Sequence, residues 1–331
     1  MWYYNVDKNQ IAISSRVRIA RNIEGYNFPQ MLNDFEINEI TNKIEKSMNK
    51  NEKLLKLSDM DKLTIGSLVE RHLLSKEYIK DTTNKSIVLN KECSLSIMIN
   101  EEDHLRIQGF SSGLNIDVAY KISKEAVERI NKTVKYSEHK QYGYLTACPT
   151  NIGSGIRVSV MLHLPALTRL GYISRLLEDA AKVGITIRGI YGENTAARGN
   201  LYQISNQKTM GMTEDEICEA VKKITEEIIK QEKKARDIIN AEEIYYEDKI
   251  MRALGILKYA RRIQTSEAEK LLSLVRIGVE SKIIKDIDPN LIQKLSVNIY
   301  ANNLQLELKK SMDEGERDIE RSKYIRRELN K

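Results

Sequence analysis

The sequence predicts an α+β fold, with strands and helices mixed over the first two thirds and an all-helical last third. Two observations carry this. Short apolar or alternating runs, closed by glycine or polar turn residues, recur from Ile13 to Ile204. Beyond them Thr213-x-x-Glu216 forms a capping-box signature. Ile217, Val221, Ile224 and Ile228 follow at helical spacing, and strand signals nearly vanish.

In chain order, Ile13–Ile19 alternates and reads as a strand, and Glu36–Met48 as a helix. Leu54–Leu57 and Leu63–Leu73 read as further helical surface. Ser86–Leu89 and Leu95–Asn100 read as strands joined by a short polar turn, and Lys124–Lys132 as a helix with Ser123 as its N-cap. Tyr142–Ala147, Ile156–Met161, Ile185–Ile190 and Asn200–Ile204 complete the expected strands. Helices then cover Glu242–Ala260, Ser266–Val279, Pro289–Ser296 and Ala301–Met312, before a charged terminal stretch. A boundary near Arg236–Asn240 divides the chain into 1–236 and a helical 237–331.

The 331 residues carry 53 basic and 47 acidic side chains, a formal charge of +6. So small an excess suits a phosphate ligand, and no long block of like charge marks a nucleic-acid arm. Cys93, Cys148 and Cys218 form no C-x-x-C pair, which disfavours a zinc knuckle or dithiol motif and fits a reducing, cytoplasmic setting. No signal peptide is evident. The longest apolar stretch, 158–170, is broken by His163, Pro165 and Arg169, short of the ~20 apolar residues that span a bilayer.

Four arginine-bearing segments stand beside expected strands or glycine turns: Ser15-Arg16-Val17-Arg18, Asp103-His104-Leu105-Arg106, Gly153-Ser154-Gly155-Ile156-Arg157 and Ile187-Arg188-Gly189. Arg16 and Arg18, two apart on a strand, share a face. Guanidinium forks held on rigid backbone suit a multiply charged anion. In Cys148–Arg157 the glycines permit positive φ and close backbone approach to a ligand, although an ordinary hairpin needs them as well. Glu101, Glu102 and Asp103 at a strand end could bind a metal or a cationic substrate, or form a plain acidic turn. There is no P-loop, and no kinase-type glycine loop with a paired catalytic-loop motif.

Ser14-Ser-Arg-Val-Arg18, Asn100-Glu-Glu-Asp-His-Leu-Arg106 and Cys148-Pro-Thr-Asn-Ile-Gly-Ser-Gly-Ile-Arg157 resemble the phosphagen kinase family. The segment from Arg188-Gly189 to Ile204-Ser205-Asn206 is similar to that family's last nucleotide loop, so the resemblance covers roughly 12–236 with the motifs in order. Metabolite-directed members carry a helical domain ahead of Ser-Arg-Val-Arg. Here the motif comes almost at the start, and a helical region follows the catalytic one, ending in Arg317-Asp-Ile-Glu-Arg-Ser322. That layout resembles the protein-arginine-kinase branch, whose phosphoarginine-docking motif is Arg-Asp-x-x-Arg-Ala; Ser322 stands in place of the alanine.

The resemblance implies an antiparallel sheet flanked by helices, followed by the all-helical domain. It implies that Arg16, Arg18, Arg106, Arg157 and Arg188 grip the ATP phosphates, with Mg²⁺ bridging them. Ser15, Val17, Ile19, Val158, Ser159, Val160, Met161, Gly189, Ile190, Tyr191, Gly192 and Glu193 would complete the nucleotide site, with His72 near the base. Glu102 is the implied base and Glu193 the carboxylate that holds the acceptor guanidinium, while Cys148 tunes the substrate side. Arg317, Asp318 and Arg321 would dock phosphoarginine. The implied function is a protein arginine kinase of the stress response. It would mark proteins with exposed arginines for Clp-type proteolysis, with a heat-shock repressor as substrate, a small zinc-binding activator, and homodimers through the helical domain. No nucleic-acid or membrane partner is expected. A kinase for free arginine or another small guanidino compound, or an idle phosphoarginine reader, are the alternatives.

Overall fold

The computed structural model describes residues 11–189, 197–240 and 243–331, apart from the side chains of 240 and 243. The strands are β1 (Ala12–Arg21), β2 (Glu52–Lys56), β3 (Ser86–Asn90), β4 (Leu95–Ile99), β5 (Leu105–Ser112), β6 (Glu138–His139), β7 (Gly143–Tyr144), β8 (Ile156–His163), β9 (Ile185–Gly189) and β10 (Leu201–Asn206). Helices α1 (Asp34–Lys46), α2 (Lys62–Glu70), α3 (Ile116–Asn131), α4 (Pro165–Arg169), α5 (Ile173–Lys182) and α6 (Glu214–Asn240) surround them. Helices α7 (Glu243–Tyr259), α8 (Thr265–Glu280), α9 (Pro289–Asn298), α10 (Ala301–Leu308) and α11 (Glu314–Leu329) finish the chain.

Eight strands form one antiparallel sheet in the order β2-β3-β4-β5-β1-β8-β10-β9, with β1 near its centre. The period of two sorts its faces. Val17, Ile19, Ile97, Ile107, Val158, Val160 and Ile204 are buried on one face, which α3 and α6 cover. Each such side chain contributes about 1.5–3 kcal/mol by leaving water. A one-residue slip of β1 would send Arg16 and Arg18 into that core in place of Val17 and Ile19, so the register is fixed. On the opposite face α2 and the turn after it cover only the β3–β5 side. There Leu68, Leu73, Met98 and Phe110 form a second cluster, and Ser96 donates to the Leu73 carbonyl at 2.7 Å.

Several elements differ from the sequence expectation. Leu54 and Leu55 lie on β2, paired antiparallel with β3, and are not helical. Helix α3 begins at Ile116, so Ser123 is no N-cap; it lies mid-helix and donates to the carbonyls of Ala119 and Tyr120. Tyr142–Ala147 reduces to the two-residue strand β7. Strand β5 and helices α4 and α5 were not anticipated. The capping box at the start of α6 forms: Thr213 N–H donates to Glu216 Oε2 at 2.8 Å, and Glu216 N–H to Thr213 Oγ1 at 3.2 Å.

The C-terminal helices dock on α2 and the end of β8 through polar contacts of high sequence separation. Glu70 of α2 accepts from the N–H groups of Asn302 and Asn303 at 2.9 and 2.7 Å, supplying from outside the cap that α10 lacks. Ser67 donates to Asn303 Oδ1 at 2.6 Å, and Ser273 of α8 contacts both His163 Nε2 and Asn200 Nδ2 at 2.8 Å. Among the described residues no helix is long and apolar enough to cross a membrane.

Candidate active site

Sheet register builds the site. Residues directly opposite in adjacent strands project to the same side. Arg18 pairs with Arg157, Arg16 with Ser159, Ala20 with Arg106, Ser14 with Met161, and Gln203 with both Met161 and Arg188. Arg16, Arg18, Arg106, Arg157 and Arg188 therefore stand on one face, drawn from four strands and more than 170 residues of sequence. Arg16 donates to Ser159 Oγ and Gln203 Oε1, each at 3.3 Å, and Arg157 to Ser205 Oγ at 3.2 Å. Arg106 forms an ion pair with Glu101, which also accepts from Ser75 Oγ at 2.8 Å. Arg18 has no hydrogen-bond partner among the described residues, and Arg188 is exposed.

So many cations sharing one carboxylate perturb each other. Arg16 is pushed down to about 10, first by burial and then by Arg106 and Arg157. Arg18 falls well below the ordinary value through burial, then Arg106, Arg16 and Arg157. Arg157 is lowered by burial, Arg188 and Arg106. Guanidiniums keep their charge in proteins, so the face is a pre-formed positive field.

The carboxylates beside it differ in duty. Burial pushes Glu101 up, but the charge and hydrogen bond of Arg106 outweigh it and hold the carboxyl below its usual range. Asp103 is buried and fixes the Cys148 loop: its Oδ1 accepts from Ala147 N–H at 2.7 Å and Asn22 Nδ2 at 2.6 Å. Glu102 alone of the three is exposed, and its carboxyl is raised by burial against the loop and by the charges of Asp103 and Glu101. Cys148 is half-buried, with Sγ 3.0 Å from Thr150 Oγ1. His104 is structural: Nδ1 accepts from Ile23 N–H at 3.0 Å and Nε2 donates to the Asn27 carbonyl at 2.8 Å.

Some expected site residues fall elsewhere. Ser15, Val17, Ile19, Val158 and Val160 point to the opposite face, because every second residue of β1 and β8 does; only Ser159 and Met161 join the arginines. Gly153 and Gly155 do have positive φ, +108° and +64°, but the close approach they permit is to the protein itself. A Cβ on Gly153 would sit 2.7 Å from the Thr209 carbonyl, and one on Gly155 2.7 Å from that of Ala20. Gly189 ends β9, whereas Ile190, Tyr191, Gly192 and Glu193 lie outside the described residues. His72, at φ 61°, lies beside Arg16, Met161 and Gln203 and is pushed down to about 4 by burial, then by Arg16 and Lys76. Gln203 and Ser205 were missed, although their alternation with Tyr202 and Ile204 on β10 was a usable signal.

Comparison with known proteins agrees with this geometry. Residues 36–235 match the model of the ATP:guanido phosphotransferase C-terminal catalytic domain, and 243–331 that of the protein-arginine kinase McsB C-terminal domain. The chain is 40% identical to a protein-arginine kinase of Clostridium acetobutylicum over 97% of its length and 96% of the relative's. It is 39% identical to one from Halothermothrix orenii, covering 98% of this chain and 94% of that one. The chain belongs to the phosphagen kinase family, in its protein-arginine kinase branch. Among solved structures, lombricine kinase superposes with a TM-score of 0.61 at 25% identity, over 70% of this chain and 68% of that one. The duplicated taurocyamine kinase of Schistosoma mansoni, with transition-state analogue components bound, gives 0.61 at 28% identity over 69% of this chain; the match spans 34% of that longer chain.

In this phosphagen kinase Arg317, Asp318 and Arg321, which the resemblance implies dock phosphoarginine, all lie on α11. Arg321 is 1% exposed; it donates to Asp318 Oδ1 at 2.7 Å and to the carbonyls of Ile263 and Ile299 at 2.8 and 2.7 Å. Asp318 is buried and also binds Arg262 at 3.2 Å. The pair ties α11 to the segment before α8 and to the end of α9. Arg317 is half-buried and donates to the Met312 carbonyl at 2.9 Å. Magnesium fits the arginine face only as an ion carried on phosphate oxygens and water. Among the described residues, the carboxylates beside the guanidiniums are Glu101, already paired, and Glu102, which could accept from a water of the ion's shell.

Proposed function

We propose that this enzyme transfers the γ-phosphoryl group of ATP to arginine side chains of proteins. One observation carries the reading: five guanidiniums on one sheet face, with the exposed and pKa-raised Glu102 at their edge. Laid on that face, a triphosphate would be held by complementary charge, and its Mg²⁺ would add neutralising charge. The acceptor nitrogen must lose a proton to attack, and a free guanidinium holds it with a pKa of about 12.5–13.8. Glu102 orients the planar group and takes that proton as the N–P bond forms and the bond from phosphorus to the β–γ bridging oxygen breaks, releasing ADP. Glu193 is the proposed second carboxylate on the acceptor. Arg188, exposed at the edge of β9, closes over the phosphates from the far side.

The likeness of 243–331 to the McsB C-terminal domain supports protein arginines, not a free metabolite, as acceptors. We further propose that the product leads to Clp-type proteolysis in a cytoplasmic stress response, with a heat-shock repressor as substrate, a zinc-binding activator and a homodimer. The test is incubation with ATP, magnesium and either a denatured arginine-rich protein or free arginine. Acid-labile phosphate on the protein is expected. Label on free arginine alone, or no transfer at all, overturns the reading.

A further inference from the structure

Asn22 directly follows β1, the strand that carries Arg16 and Arg18. It is 2% exposed, and its side-chain amide makes three hydrogen bonds. Nδ2 donates to Asp103 Oδ1 at 2.6 Å and to the Leu145 carbonyl at 3.0 Å, partners 81 and 123 residues away in sequence. Oδ1 accepts from His104 N–H at 2.9 Å. The Asn22 carbonyl accepts from Ser137 N–H at 2.8 Å, and the Ser137 carbonyl from Leu145 N–H at 3.0 Å. Asp103 closes the ring by accepting from Ala147 N–H at 2.7 Å.

These bonds join two segments on the acceptor side. Glu102 and Asp103 are neighbours on the turn between β4 and β5, and Ala147 and Cys148 are neighbours ahead of the glycine turn. The Asp103–Ala147 hydrogen bond sets one segment against the other, and Asn22 ties both to the end of the arginine strand. Within the turn, Asn100 N–H donates to the His104 carbonyl at 2.9 Å and Glu101 N–H to that of Asp103 at 3.1 Å. His104 anchors the base of the turn to Ile23 and Asn27. Asn22 is the side chain that reaches from there to both the turn and the Leu145–Ala147 segment. Glu102 is exposed and Cys148 half-buried, so both can meet an incoming side chain, whereas Asn22, Asp103 and His104 are buried.

The amide is the group this place demands, since it donates twice and accepts once. Aspartate has the same size, but it turns oxygen toward the Asp103 carboxylate and the Leu145 carbonyl, which leaves both without a donor. None of the Asn22 bonds involves the five guanidiniums.

We propose that Asn22 is a positioning residue for the acceptor arginine: its amide locks the turn that carries Glu102 to the segment that leads into Cys148. The same strand end then aligns the acceptor groups with the phosphate face. A shift of about 1 Å at a reacting group can cost about 10² in rate. The inference rests on the transfer to protein arginines proposed above, which makes Glu102 and Cys148 acceptor-side groups.

The test uses the full-length wild type, Asn22→Asp and Asn22→Ala with Mg·ATP and a denatured arginine-rich protein. Both variants should lose about 10²-fold in kcat/KM for the protein acceptor, mostly in kcat, and keep the Kd of Mg·ATP within about twofold. In the wild type the His104 and Ala147 amides should exchange at least about tenfold more slowly than in an unstructured chain, and in Asn22→Ala both should quicken together. Transfer at the wild-type rate in either variant overturns the inference. So does a matching loss of Mg·ATP affinity, which would make Asn22 a support of the whole fold. Should a variant not fold, the wild-type exchange decides: an Ala147 amide as free as an unstructured one means that the two segments are not locked. No transfer by the wild type brings down the phosphotransfer reading itself, whereas transfer that survives the loss of Asn22 brings down this role alone.

Discussion

Removing one arginine from the phosphate face should stabilise the nucleotide-free protein and abolish its response to ATP. Arg18 is the choice, because it has no hydrogen-bond partner among the described residues and stands between Arg16, Arg106 and Arg157. Arg16, in the same field, sets the scale: a drop from 12.5 to about 10 corresponds to about 3 kcal/mol at ~1.36 kcal/mol per pKa unit. Water and salt reduce what a substitution regains to about 1–2 kcal/mol. The sign follows from linkage. A cation whose folded-state pKa lies below its unfolded value opposes folding fully at neutral pH; the penalty starts to fall as pH reaches the folded pKa and is gone only above the unfolded one. Arg18→Met, which keeps the aliphatic stem, should therefore raise the melting temperature by roughly 2–5 °C at pH 7 without nucleotide. With Mg·ATP at about 100 times its Kd the wild type gains about 2.7 kcal/mol, and the order of the two melts reverses. Thermal melts with and without nucleotide read both effects. A variant that melts lower than the wild type in the absence of ATP, or that gains as much from ATP, refutes the charged-cage reasoning.

Three further outcomes are expected. Glu102→Gln should lower kcat by about 10²–10⁴ with ATP affinity retained; because burial and the neighbouring acids raise this carboxyl, wild-type activity should climb with pH through that raised value and the variant should lose this acid limb. Unchanged turnover in a steady-state pH profile removes Glu102 from its role. Arg321→Ala should destabilise the protein by about 3–5 kcal/mol in a denaturant melt, because it strands buried Asp318 and two carbonyls, whereas Arg317→Ala should cost less than about 1 kcal/mol. Equal, small effects of the two would show that the buried pair carries no structural load. Glu70→Ala uncaps α10 and should increase amide exchange in Ala301–Leu308 by about tenfold, leaving β1 exchange unaltered.

The arginine face was legible because a strand's period of two is local. Arg16 and Arg18 declare their shared side in three residues, and the glycine turn before Arg157 marks where β8 starts. What escaped depends on partners far away in sequence. Glu52–Lys56 has helix-favouring residues, yet pairing with β3 makes it the sheet's edge strand. Arg321 lies in a strongly polar helix and reads as solvated surface; only folding brings the carbonyls of Ile263 and Ile299 around it. The division between Glu101 and Glu102 was equally invisible, since adjacent identical residues differ only in which one Arg106 claims. His163 and Ser273 carry no local signal, because they meet only once α8 packs against the end of β8.

The most direct test of the central claim is a crystal structure with a non-hydrolysable ATP analogue, magnesium and an arginine-containing peptide. The triphosphate should lie across Arg16, Arg18, Arg106, Arg157 and Arg188, with the Glu102 carboxylate at hydrogen-bond distance from the peptide's guanidinium. Density for the phosphates on any other surface, with those five side chains untouched, would contradict it.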